Sequence, residues 1–208
     1  GVPGALANWR RGILNLDTPL ETETLIDLAL WDSLAAEQPL EPPPPSEVSI
    51  GVDIALDRSG ASIVAAWVTA EGDLAISLIM TGPGVDWVAP TVRRLATAGY
   101  KWLGADATGP MATTATDITN AGTALEIIKT KDYALACQLI LDRVRDGRIL
   151  HDGATQLRTA WAQAACRPMY GVMALDASRS AGPIDALRAA AVAVHGAGIY
   201  VPDPVQLY

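Results

Sequence analysis

The sequence predicts a mixed α/β fold: a β-sheet flanked by helices, its first three strands antiparallel and its later strands alternating with helices. Two observations predict it. Three apolar runs, Val48–Ala55, Ala61–Thr69 and Leu74–Met80, are separated only by the polar turns Asp57-Arg-Ser-Gly60 and Glu71-Gly-Asp73, the pattern of successive hairpins. Beyond residue 86, helical and strand periodicities alternate, as in α/β units laid on a mixed sheet. With 208 residues, 50% of them hydrophobic, the chain can build one substantial core plus an appendage.

The elements follow in order. Thr18-Pro-Leu-Glu21 starts a helix, with Thr18 as N-cap, Pro19 at the first helical position and Glu21 closing a capping box. Leu25, Leu28, Ala29 and Trp31 give it an apolar stripe through about Leu34. Glu41-Pro-Pro-Pro-Pro45 then stops regular structure as a stiff extended spacer. Residues 1–36 therefore read as a helical linker segment, 37–47 as an acidic Pro-rich spacer, and 48–208 as the main domain. After the three strands come a helix near Trp87–Ala98, a strand Lys101–Asp106 and a helix from Pro110. A short strand Ala124–Ile128 precedes a helix from Asp132 to about Asp146, with Leu135, Leu139, Ile140 and Val144 as its buried face. A helix over Ala154–Cys166, a strand Tyr170–Leu175 and a helix Pro183–His195 complete the pattern.

Composition narrows the function. No apolar run approaches the ~18 residues of a membrane-spanning helix, and no N-terminal signal segment appears, so the expectation is a protein neither membrane-bound nor secreted. Cys137 and Cys166, each in a predicted helix, lack metal-ligand spacing and fit a reducing compartment. The net charge of −8 argues at first against nucleic acid. Its distribution softens this: residues 1–47 carry two Arg against eight acids, whereas residues 48–208 carry 13 Lys and Arg against 15 acids. Metal offsetting three of those acids would bring the second segment to about +1, which permits a weak or locally focused phosphate contact.

Asp53 is the most informative residue. It lies inside the apolar strand Val48-Ser-Ile-Gly-Val-Asp-Ile-Ala-Leu56, where an ionised carboxylate is unfavourable unless paired, hydrogen-bonded or bound to a cation. Asp106 ends the run Lys101-Trp-Leu-Gly-Ala-Asp106, and Asp185 opens an Ala-rich helix. If the strands of Asp53 and Asp106 are parallel neighbours, their carboxylates meet at one sheet edge, where α/β sheets place ligands, and Asp185 reaches in from the flank. Oxygen-only ligation suits Mg²⁺ or Mn²⁺, and two such ions suit phosphodiester hydrolysis. Each acid has a plainer reading: Asp185 as an acid favoured by the helix dipole at the third position of a helix whose first is Pro183, Asp106 as a turn or capping acid before Ala107-Thr-Gly-Pro110, and Asp57, a further candidate metal ligand, as a turn former. Lys129, Lys131 and Arg143 are candidate phosphate contacts, equally well read as solvated charges or, for Arg143 with Arg145 and Arg148, as cations favoured at a helix end. His151 reads as structural, Ser62 and Ser180 lack any triad, and Trp67, Trp102 and Trp161 read as core.

Taken together, Ile50-Gly-Val-Asp-Ile-Ala-Leu-Asp-Arg-Ser-Gly-Ala-Ser62, Gly104-Ala-Asp106, Asp146-Gly-Arg-Ile-Leu-His-Asp-Gly153 and Arg179-Ser-Ala-Gly-Pro-Ile-Asp-Ala-Leu187 resemble the C-terminal nuclease domain of tailed-phage large terminases, an RNase H-like fold. Upstream, Asn8-Trp-Arg-Arg11 and the helix containing Trp31 resemble the linker leaving the terminase ATPase domain. The resemblance implies a two-metal endonuclease, using Mg²⁺ or Mn²⁺, that cuts concatemeric double-stranded phage DNA during genome packaging. It maps Asp53, Asp106 and Asp185 onto the acidic metal-binding triad. It implies as partners double-stranded DNA, the ATPase domain, the small terminase subunit and the portal, in the cytoplasm of an infected bacterium. No Gly-x4-Gly-Lys-Ser/Thr loop is present, so ATP-driven translocation is not assigned to this chain. The alternatives are a catalytically weak docking or DNA-binding domain of the packaging motor, another RNase H-like nuclease of resolvase or transposase type, and an actin-like or sugar-kinase ATPase lobe.

Overall fold

The computed structural model describes residues 25–198. The predicted helix start at Thr18 and the Asn8-Trp-Arg-Arg11 segment lie outside the described residues; within them the helix begins only at Leu28, since residues 25–27 are not helical, and Ala29 is exposed where an apolar stripe is predicted. Asp27 caps the first described helix, α1 (Leu28–Ser33), its carboxylate accepting from the Ala29 N–H at 2.9 Å. The Pro-rich stretch that follows carries only a short 3₁₀ turn, Pro45–Glu47. Three strands come next as the sequence predicts: β1 (Ser49–Ile54), β2 (Gly60–Val68) and β3 (Leu74–Pro83). Then follow α2 (Val88–Ala96), β4 (Trp102–Ala105), α3 (Met111–Asn120), β5 (Glu126–Ile127), α4 (Thr130–Arg145), β6 (Ile149–His151), α5 (Thr155–Gln163), β7 (Cys166–Met169), β8 (Val172–Leu175) and α6 (Asp185–Ala197).

Six strands form one mixed sheet in the order β5-β4-β1-β2-β3-β6. The pairs β1–β2 and β2–β3 are antiparallel, and β1–β4, β4–β5 and β3–β6 are parallel. All six residues of β1 are buried, because helices cover both faces. Alternation along the strand divides its side chains. Ile50, Val52 and Ile54 pack with Val88 and Val92 of α2 and with Met111, Ala115 and Ile118 of α3. Gly51 and Asp53 face the opposite way, toward α6.

The Ala-rich composition of α6 follows from this packing. A Cβ at Gly51 would run into the Ala189 carbonyl and the Ala193 backbone nitrogen, so helix and strand backbones are nearly in contact. Ala189 and Ala193 are buried at this close approach, where a larger side chain would push helix and strand apart. Trp102 lies against Gly104 and Gly196, where a Cβ would collide with its ring.

Residues 25–36 pack onto the same body. The Trp31 indole is buried and stacks on the His151 ring at 3.8 Å and 6°, and it meets Trp161 at 5.5 Å. His151 Nε2 lies 2.8 Å from the Trp31 carbonyl, and its Nδ1 accepts from the Gly153 N–H at 3.1 Å. The imidazole is therefore a neutral, fully employed structural group. Arg158 grips Asp32 with two hydrogen bonds of 2.7 and 2.9 Å.

Four further expectations need correction. The buried face of α4 is Tyr133, Ala134, Ala136, Cys137, Ile140, Leu141 and Val144; Leu135 and Leu139 are only half-buried. The helix is rotated because it packs on α6 and β8, which leaves those two leucines on a flank beside His195. Cys166 lies in β7, because α5 ends at Gln163 and the chain turns extended at Ala164. The β7–β8 pairing forms a separate two-stranded hairpin in place of the single strand read at 170–175. Asp185 is the first residue of α6, just after the predicted start at Pro183.

Candidate metal centre

The register of the sheet brings the acids together. Val52 pairs with Ala105 across the parallel β1–β4 ladder, so Asp106, the residue after β4, falls beside Asp53 on the same face. Asp53 pairs with Ser62 across the antiparallel β1–β2 ladder, so Ser62 also shares that face. The helix supplies the third acid by a matching of lengths. Gly51 meets Ala189, and two residues along a strand advance about 6.7 Å. Four residues along a helix advance about 6 Å, so Asp53 comes level with Asp185. Arg188, three residues on from Asp185, projects from the same face of the helix.

The resulting contacts are specific. Asp53 is 1% exposed and Asp106 5% exposed. Arg188 Nε lies 2.9 Å from Asp53 Oδ2, and Arg188 Nη2 donates to Asp106 Oδ2 at 3.0 Å. The first is a charge contact whose geometry makes no hydrogen bond, so both carboxylate oxygens of Asp53 are buried without a hydrogen-bond donor. Thr108 Oγ1 also donates to Asp106 Oδ2, at 2.9 Å, and Ser62 Oγ donates to Asp185 Oδ2 at 2.6 Å. The Arg188 guanidinium rests 5.4 Å from the centre of the buried Tyr133 ring.

Burial pushes the Asp53 carboxyl up to about 7; Arg188 opposes that rise, and the neighbouring charges of Asp106 and Asp185 add to it. Burial acts to lower Arg188, but the attraction of Asp53 and the neighbouring groups outweighs it, and the guanidinium is held above its ordinary value. A cleft of about 350 Å³ opens onto this cluster, with Asp53, Leu56, Asp57, Ser178, Asp185 and Arg188 among its lining residues. A second depression of about 270 Å³, on the other side of Asp185, is lined by Ser62, Thr81, Thr155, Thr159 and Gln163.

Placed beside known proteins, the chain matches no family model and no curated protein sequence. Its structure does match solved ones. The large terminase of bacteriophage HK97 superposes with a TM-score of 0.61 at 17% identity, over 82% of this chain and 43% of that one. The fold is that of a phage large terminase nuclease domain. The large terminase nuclease of thermophilic phage G20c, solved with bound magnesium, gives 0.54 at 13% identity, over 71% of this chain and 79% of that one. A second structure of the G20c nuclease gives 0.54 at 14% identity, over 82% of this chain and 96% of that one. The chain thus spans less than half the length of the HK97 large terminase but nearly all of the G20c nuclease.

Asp53 and Asp106 thus stand at the C-terminal ends of β1 and β4 and Asp185 at the start of α6, all three offering oxygen only, and the unsatisfied oxygens of Asp53 are of the kind that suits a hard divalent cation. Among the described residues, however, no three His, Cys, Asp or Glu side chains are gathered closely enough to hold a metal ion as they stand. Each acid has another partner: Arg188 is shared by Asp53 and Asp106, and Ser62 holds Asp185.

The remaining candidates are dispersed. Asp57 is exposed on the cleft wall, where its carboxylate accepts from the Ser59 N–H at 3.0 Å and shapes the turn; hydrogen bonds from Ser59 lower its pKa. Lys129 and Lys131 are exposed at the start of α4, on the edge of the sheet where β5 ends. Arg143 lies about 20 Å further along that helix, away from the acids. Among the described residues, no helix is long and apolar enough to cross a membrane. Sequence reasoning missed Arg188, Thr108 and the holding role of Ser62. A signal for Arg188 existed: a lone cation three residues after Asp185 in an otherwise apolar helix.

Proposed function

We propose that this chain is the divalent-metal-dependent endonuclease of a DNA-packaging motor, cleaving concatemeric double-stranded phage DNA inside an infected bacterium. The observation that carries the reading is that Asp53 and Asp185 line one cleft of a terminase nuclease fold, with Asp106 beside Asp53 and joined to it through Arg188, and with Asp53 buried and short of hydrogen-bond donors. Asp53, Asp106 and Asp185 would hold Mg²⁺ or Mn²⁺, two ions in the full reading, with Asp57 at the rim as a further oxygen donor. Bound there, such cations supply Lewis-acid charge beside the phosphodiester and ease deprotonation of the attacking water.

The chain's own residues do the rest. The two sheet strands fix Asp53 and Asp106 side by side, and the Ser62 hydroxyl orients Asp185. The open cleft admits a phosphodiester while the buried carboxylates stay shielded from bulk water. His151 is fully committed to Trp31 and Gly153, so it supplies no general base. Arg179 and Arg167, paired with Asp176 at 3.4 and 3.6 Å, offer cations near the cleft wall formed by Ala177, Ser178 and Ser180. They are better placed to meet phosphates than Arg143 is, and Lys129 and Lys131 extend the reach of the same edge. ATPase domain, small terminase subunit and portal would be supplied by the longer assembly.

A second reading, a docking domain with weak turnover, is favoured by one observation: Arg188 already neutralises part of the acid cluster. Plasmid nicking in Mn²⁺ separates the two. The nuclease reading expects conversion of supercoiled plasmid that is lost in Asp53→Ala and Asp106→Ala while both variants keep the wild-type circular dichroism. Cleavage retained by both folded variants sinks it, and no cleavage by wild type in any divalent metal favours the docking domain.

A further inference from the structure

We propose that Arg188 is a resident counter-cation that occupies the metal's place on Asp53 and Asp106, so that metal loading is an exchange of cations and not a simple addition. The proposal rests on the nuclease reading and concerns how the same site is filled. Its basis is geometric. Arg188 is the cation shared by the two most buried acids of the cluster, at 2.9 and 3.0 Å, and its own side chain is 15% exposed. Its grip is incomplete: the Asp53 contact has no directed hydrogen bond, and Asp53 keeps two oxygens without a donor. A guanidinium built only to stabilise the fold would be expected to engage such a carboxylate through two parallel N–H bonds.

The surroundings also permit the side chain to leave. Arg188 lines the 350 Å³ cleft, which provides room for its head group; the Tyr133 ring at 5.4 Å, which the guanidinium covers while it holds the two acids, is the contact it would give up. Asp185 is held differently, by the neutral hydroxyl of Ser62, so two of the three acids are charge-compensated before metal arrives and one is not. A monovalent resident avoids leaving three carboxylates uncompensated in a half-buried site, and a divalent ion outcompetes it by charge. Metal affinity is then set by how firmly Arg188 holds its two acids.

Mn²⁺ binding to the whole chain, followed by loss of the free-ion electron paramagnetic resonance signal, tests this without reference to cleavage. Arg188→Gln removes the competitor, and the expected result is Mn²⁺ binding tighter by on the order of tenfold. Arg188→Lys, whose single ammonium cannot span both carboxylates as the planar fork does, is expected to fall between wild type and Arg188→Gln, and it serves as the test if Arg188→Gln does not fold. Added Mn²⁺ is expected to raise the Tm of Arg188→Gln by more than that of wild type. Wild-type binding with equal or weaker affinity in the folded variants overturns the exchange and leaves the nuclease reading intact, because an arginine that only braces the acids would weaken binding when removed. Absence of Mn²⁺ binding in wild type and variants alike overturns both.

Discussion

Asp53→Asn offers a sharp test of how the site is built, because it removes a buried charge with almost no change of shape. In the folded chain burial moves the Asp53 carboxyl from 3.8 to about 7. A group whose pKa is raised on folding contributes most stability when protonated, below pH 3.8, and loses that contribution progressively until the pH passes about 7. At 1.36 kcal/mol per pH unit, the metal-free protein at pH 8 therefore carries a penalty on the order of 4 kcal/mol, against roughly 1.6 kcal/mol at pH 5. The difference, about 2–3 kcal/mol, is the quantity to measure. The asparagine amide has its own needs for partners and also deprives Arg188 of one charge, but the amide does not titrate, so its own contribution cancels when the two pH values are compared. His151, whose pKa is lowered chiefly by burial, makes wild type and variant alike less stable below about pH 6.5 and likewise cancels. Urea unfolding of both proteins at pH 5 and pH 8, without divalent metal, should show Asp53→Asn gaining about 1 M in midpoint relative to wild type on going to pH 8, at an m-value near 2 kcal/mol/M. Parallel behaviour of the two proteins across that range would falsify the argument, since the carboxyl would then be no more buried than an ordinary surface acid.

Trp31→Ala empties the space between His151 and Trp161 and should reduce stability by about 3–5 kcal/mol, measured by chemical unfolding; a loss under about 1 kcal/mol would mean α1 is not part of the folded body. Gly51→Ala places a methyl against the Ala189 carbonyl and Ala193 nitrogen, both backbone, so α6 must shift. A loss of about 1–3 kcal/mol is expected together with weakened Mn²⁺ binding, and unchanged binding would show that α6 does not set the site. Ser62→Ala leaves Asp185 Oδ2 without its hydroxyl and should lower stability by about 1 kcal/mol while reducing Mn²⁺-dependent nicking; wild-type nicking would remove Ser62 from the site.

The parts of the fold that could be read in the sequence are those whose patterns are long. Each of β1, β2 and β3 is a run of six residues or more bounded by turn residues, and all three appear where predicted. Asp53 was legible because a charge inside an apolar strand breaks that pattern, and Asp106 because it ends a second such run. What escaped was set by tertiary contact. Three-residue β6 is a strand only because it pairs with β3, and β7 exists only as the partner of β8. The rotation of α4, which demotes Leu135 and Leu139, depends on where α6 and β8 lie and not on the apolar spacing within α4. Arg188 escaped for a related reason: a cation near a helix start reads as a solvated charge until the depth of that helix against the sheet is known. Ser62 was set aside as a nucleophile and returned as a holder of Asp185, a role that only the register across β1 and β2 makes visible.

The seating of α1 has a mechanical consequence. Trp31 bears on His151, and His151 belongs to β6, the edge strand at the far end of the sheet from β5. A load applied to the chain ahead of Leu25 enters the body there, and β2 and β3 lie between that entry point and the strand of Asp53. Trp31 and the Asp32–Arg158 bonds would yield first, by peeling, whereas the interior strands would have to shear many hydrogen bonds at once. In a single-molecule pull through the N-terminal side, α1 should therefore detach at lower force than the sheet opens, which would leave Asp53 and Asp106 in register while the chain ahead of them is under tension.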